Sequence, residues 1–84
     1  MQGGAVFSFK AMPNPVSHTL WVSFGGDRGA GATLSLSDVT GKTLRTYSVT
    51  DETQEIDMSN LSQGLYLLRY ADGDRTETIK VSKQ

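Results

Sequence analysis

Cysteine is absent from this chain of 84 residues. No disulfide framework can supplement its core, and no thiolate metal site can form. One histidine and no cysteine leave a zinc centre only carboxylates as further ligands. No apolar run approaches the ~20 residues of a membrane-spanning helix. Neither charge sign dominates: eight basic residues stand against nine acidic ones, interspersed along the chain, for a net charge of -1. That balance excludes a polybasic membrane patch and a nucleic-acid groove. Proline is scarce as well. The chain has two, and both lie in Met12-Pro13-Asn14-Pro15-Val16. Pro13 and Pro15 fix φ, bias Met12 and Asn14 toward extended backbone and remove two backbone donors, which reads as a rigid elbow ahead of a strand.

A chain of this length forms one domain and buries roughly 60–65% of its unfolded surface, enough for a thin core. The N-terminus, Met1-Gln2-Gly3-Gly4, lacks the charged and apolar regions of a signal peptide. Residues 1–5 therefore read as a linker or expression remnant, and residues 6–84 as the domain.

Alternation of apolar and polar residues with period two recurs throughout the rest. It predicts short strands at Val6–Phe9, Thr19–Phe24, Leu34–Ser37, Thr43–Val49, around Glu55–Met58, at Gly64–Ala71 and at Thr76–Ser82. The segment Asp38-Val39-Thr40-Gly41-Lys42 reads as a tight turn with Gly41 at positive φ. Asp72-Gly73 is a hairpin signal. Gly64–Ala71, almost continuously apolar, is the candidate for a central strand buried on both sides. No helical stretch stands out. Seven short strands predict an all-β fold of two packed antiparallel sheets. Leu61-Ser62-Gln63-Gly64-Leu65-Tyr66 places a tyrosine at the corner into the sixth strand, where immunoglobulin-like sandwiches tie a hydroxyl to backbone just upstream. The expected fold is a seven-stranded immunoglobulin-like β-sandwich.

Signs of catalysis are lacking. His18, in a polar Ser17-His18-Thr19 context, has nothing near in sequence to orient it as a base and reads as an exposed turn residue. Gly41-Lys42-Thr43 matches the tail of a phosphate-binding loop, but that motif needs a glycine at position 36, where Leu36 stands, and a helix after it. The glycine-rich stretch Gly25–Gly31 reads as a mobile connection. Asn60-Leu61-Ser62 matches the glycosylation pattern but falls at the structural corner. Trp21 points outward if Leu20, Val22 and Phe24 point inward, either as a sugar-stacking or partner surface or as cover for a sheet edge. Lys80 and Lys83 punctuate the last strand, a usual device for protecting an edge, and with Gln84 they form a tail available as a terminal tag.

Four features occur in order: Pro13-Asn14-Pro15-Val16, Asp38-Val39-Thr40-Gly41-Lys42, Leu61-Ser62-Gln63-Gly64-Leu65-Tyr66, and Thr78-Ile79-Lys80-Val81. Together they resemble the type A C-terminal sorting domain of the type IX secretion system of Bacteroidetes, over residues 12 to 83. The residues matching the family's motifs are Pro13, Asn14, Pro15, Asp38, Gly41, Leu61, Gly64, Tyr66, Lys80 and Lys83. Met12 stands where an aromatic is common, and the chain ends in Gln84 rather than a basic residue. The resemblance implies an address label rather than an enzyme, with no cofactor. Its partners would be an outer-membrane translocon, a sortase-like peptidase that removes the domain, and an upstream cargo domain. It would pass through the periplasm and reach the cell surface or the medium. Weak pairing of two copies through a sheet edge stays open, and a surface adhesion or carbohydrate-binding sandwich is the alternative reading.

Overall fold

A computed structural model describes residues 7–26 and 31–84, and these form two antiparallel sheets with no helix. The strands in chain order are β1 (Ser8–Met12), β2 (Thr19–Gly25), β3 (Thr33–Asp38), β4 (Thr43–Ser48), β5 (Thr53–Asp57), β6 (Gly64–Ala71) and β7 (Thr76–Lys83). One sheet has the order β1-β2-β5, the other β4-β3-β6-β7. No helix among the described residues is long and apolar enough to cross a membrane.

Alternation sets which side chains enter the space between the sheets. Leu20, Val22, Phe24 and Ile56 come from the three-stranded sheet, and Leu34, Leu36, Leu68, Tyr70 and Val81 from the four-stranded one; all are buried. Tyr70 gathers an aromatic cluster at one end, its ring centroid 4.6 Å from that of Phe7 and 5.8 Å from those of Phe9 and Phe24. The Arg75 guanidinium lies over the Phe7 ring.

Two local expectations need revising. The first strand lies further along than the apolar run suggested. It spans Ser8–Met12, pairs with β2 as far as Met12 opposite Trp21, and stops where Pro13 can no longer donate; Val6 lies outside the described residues. Strand β6 is central in its sheet but buried on one side only. Leu65 and Arg69 are exposed because no layer covers the outer face, while Tyr66, Leu68 and Tyr70 fill the inner one. The hairpin expected at Asp72-Gly73 does join β6 to β7, and Asp72 shapes it. The Asp72 carboxylate accepts from the Asp74 amide (2.7 Å), the Arg75 amide (2.9 Å) and the Tyr70 hydroxyl (2.5 Å). Of the glycine-rich connection, residues 27–30 lie outside the described residues.

Candidate functional site: the edge formed by the proline elbow and the last strand

Strand β7 borders the four-stranded sheet, so its outward peptide groups have no strand to pair with. The elbow supplies one in miniature. The Asn14 side-chain amide donates to the Lys80 carbonyl (2.9 Å), and its oxygen accepts from the Ser82 amide (3.0 Å). Two residues on, the Val16 amide donates to the Ser82 carbonyl and the Val16 carbonyl accepts from the Gln84 amide, both at 2.8 Å. Three successive edge groups of β7, and the Gln84 amide just beyond it, are thereby satisfied across more than sixty residues of sequence. The side chain of Asn14 stands in for a peptide group that its proline neighbours could not supply. Val16 is fully buried and forms a parallel bridge with Lys83, so the elbow is fastened to the core as well as to the edge.

The other marked residues converge on the same end of the sheet. Asp38 stands opposite Tyr66 on β6, Tyr66 opposite Val81 on β7, and Asn14 grips the residues on either side of Val81. Two rows further along, Gly64 stands opposite Lys83, which bridges to Val16. Residues from four motifs scattered along the chain thus meet at one end of the sheet, in the two rows that flank Leu65 and Ser82.

Each motif has a local physical basis. One Asp38 carboxylate oxygen accepts from the Thr40 hydroxyl (2.6 Å), the Thr40 amide (2.9 Å) and the Lys42 amide (3.1 Å). The Thr40 hydroxyl bond is the main reason its pKa lies below the ordinary carboxyl value. The Lys42 and Thr40 amides and the Lys42 charge add to that, while partial desolvation opposes it. Gly41 completes the turn at φ +94°, a conformation that a side chain disfavours. The Tyr66 hydroxyl donates to the Ser62 carbonyl at 2.6 Å, the corner tie expected from the sequence. Leu61 packs half-buried against the core.

The two lysines part company. Lys80 is exposed on the outer face of the sheet, whereas Lys83 is only 8% accessible and its ammonium donates to the Gln84 carbonyl (2.7 Å). The tail is therefore not a loose tag, because Gln84 and Lys83 are both tied into the fold. Val16 and Ser62 carry contacts that the motif residues depend on. Val16 had a sequence signal as the first apolar residue after the elbow, while Ser62 acts through its backbone carbonyl and had none.

His18 is exposed, and its carbonyl accepts from the Met58 amide. No cluster of three histidine or carboxylate side chains able to hold a metal occurs among the described residues. A second carboxylate, Asp57, accepts from the Ser59 hydroxyl (2.6 Å) and amide (2.9 Å), which lowers its pKa, and the charge of Arg45 assists. The Arg45 guanidinium donates to the Asp57 carbonyl, linking β4 of one sheet to β5 of the other. Trp21 points outward as expected, half-exposed beside the exposed Met12.

Fold and site together define a small β-sandwich whose marked residues fasten a sheet edge. The family model described as "Secretion system C-terminal sorting domain" matches residues 10–84, and the chain belongs to that family. It is a C-terminal sorting signal for type IX secretion. No curated protein matches it.

Proposed function

We propose that the surface read during sorting is the edge where the elbow meets β7, and that an outer-membrane translocon and a sortase-like peptidase are the partners that act on it. The observation carrying this is the hydrogen-bonded union of Asn14 and Val16 with Lys80, Ser82 and Gln84. It turns two distant sequence motifs into one surface element. Within it, Pro13, Pro15 and Lys80 are exposed and present themselves, while Val16 and Lys83 are buried and hold the edge in place. Asp38, Gly41, Leu61, Gly64 and Tyr66 shape the sheet end against which the edge is set.

The domain is an immunoglobulin-like module without catalytic activity, carried behind an upstream cargo through the periplasm to the surface. The sheet orders β1-β2-β5 and β4-β3-β6-β7, with the tyrosine corner at the sixth strand, support the immunoglobulin-like reading.

Two variants of a periplasmic reporter fused ahead of the domain, in a host carrying the secretion system, test this reading. Lys80→Glu leaves the backbone pairing intact and reverses the exposed charge; Asn14→Ala loosens the edge. Both are expected to shift reporter from the surface to the periplasm. Export at the unmodified level for both variants overturns the assignment of this edge.

A further inference from the structure

A groove of about 440 Å³ lies on the outer face of the four-stranded sheet, opposite the core. Its walls carry the hydroxyls of Ser35, Ser37, Thr43, Thr76 and Thr78, with Leu67 as apolar floor and the guanidinium of Arg69 among them. Pairing explains the grouping. Ser35 stands opposite Arg69 and Arg69 opposite Thr78, while Ser37 stands opposite both Leu67 and Thr43, so these side chains share one face of three adjacent ladders. Among the described residues, no carboxylate lines the groove. Lys80, next to Leu67 on the same face, adds a second cation. Among the described residues, neither Arg69 nor any of the five hydroxyls makes a side-chain hydrogen bond or ion pair with another residue.

We infer that this groove binds a small polyhydroxylated anion: a sugar bearing a carboxylate or a phosphate group. Three features select that class. A guanidinium without a counter-ion offers a planar pair of donors matched to a carboxylate or phosphate. Serine and threonine hydroxyls both donate and accept, which suits the mixed donors and acceptors of a sugar ring. The leucine floor meets the ring's C–H face. An acidic peptide fits less well, because the backbone groups of β3 and β6 are already committed to the ladders on either side and leave its amides only side-chain hydroxyls. The volume falls in the range of small-molecule sites. Gly41 also lines the groove and Lys80 borders it, so this face adjoins the sorting edge, but binding here does not require the sorting role.

Chemical-shift perturbation of the purified chain, titrated with glucuronate, glucose 6-phosphate, neutral glucose, inorganic phosphate and a hexaglutamate peptide, tests the inference. Shifts are expected at Ser35, Ser37, Arg69 and Thr78 with one or both charged sugars. Glucuronate against glucose 6-phosphate then shows which anionic group is preferred. Arg69→Gln is expected to weaken binding by about tenfold or more, the loss of one charge-assisted contact. Thr78→Val provides a second variant should Arg69→Gln perturb the fold. Several results would overturn the inference: no shifts on this face, equal binding of neutral glucose, inorganic phosphate binding as tightly as the sugar phosphate, tighter binding of the peptide, or affinity indifferent to both substitutions.

Discussion

Replacing Asn14 tests how the elbow holds the last strand. Asn14→Ala removes the bonds to the Lys80 carbonyl and the Ser82 amide while leaving both prolines and Val16 in place. A neutral hydrogen bond contributes roughly 0.5–1.5 kcal/mol net, and at an exposed edge water can replace the lost partner. The two bonds together should therefore contribute about 1–2 kcal/mol, equivalent to a five- to thirtyfold change in an opening equilibrium. Hydrogen exchange of single amides reads this directly. The Ser82 amide points at the elbow, whereas odd-numbered residues of β7 point at β6, so protection at Ser82 should fall while that at Val81 holds. Asn14→Asp is nearly the same size but has no donor for the Lys80 carbonyl when ionised, and sets an oxygen against it instead. It should loosen Ser82 at neutral pH even though an acceptor for its amide remains. Unchanged protection at Ser82 in both variants would refute the reasoning, because the elbow would then rest on the edge without holding it.

Other expectations concern the neighbouring motifs. Tyr66→Phe deletes the corner bond to Ser62 and should cost about 1 kcal/mol, or a fall of roughly 4–8 °C in Tm for a domain of this size, measured by thermal unfolding. Gly41→Ala meets no atom within 4 Å, so any loss comes from forcing a side chain to φ +94°; about 1–2 kcal/mol is expected in urea unfolding. Both Asp38 and Asp57 have pKa values lowered in the fold, so the stability they add is present above the unfolded carboxyl pKa of about 3.9 and is lost as pH falls through the lower folded values. Urea midpoints measured across acidic pH should decline in that window, and the decline should be shallower in Asp38→Asn. Val16→Ala, which empties part of a fully buried site, should cost about 1–3 kcal/mol and expose the Gln84 amide to exchange more than Asn14→Ala does.

The structure gives the sequence motifs different meanings. Gly41 and Tyr66 were open to a purely structural reading, and their contacts provide one: a positive-φ turn and a corner tie. Lys80 and Lys83 looked alike, two lysines near the end of a strand, yet one is exposed and one is buried. Strand alternation makes their opposite directions legible, since they are an odd number of residues apart. The burial of Lys83 is not legible in that way, because it depends on Val16 arriving beside it from a distant loop.

Local chemistry in the sequence was enough to determine the all-β character, the positions of most strands, the Asp38 turn and the tyrosine corner, whereas the family came from the resemblance of four ordered motifs. Period-two alternation, glycine at positive φ and proline's missing donor all act over a few residues and leave their marks in order. Tertiary structure alone decided what these marks do together. Strand order places Asp38, Tyr66 and Val81 in one row, and the path of the elbow brings Asn14 to the edge of that row. It also decided that the outer face of β6 stays open and that five hydroxyls and an arginine share a groove there. Sheet pairing joins residues far apart in the chain, and periodicity within a strand shows which way a side chain faces but not which strand lies beside it.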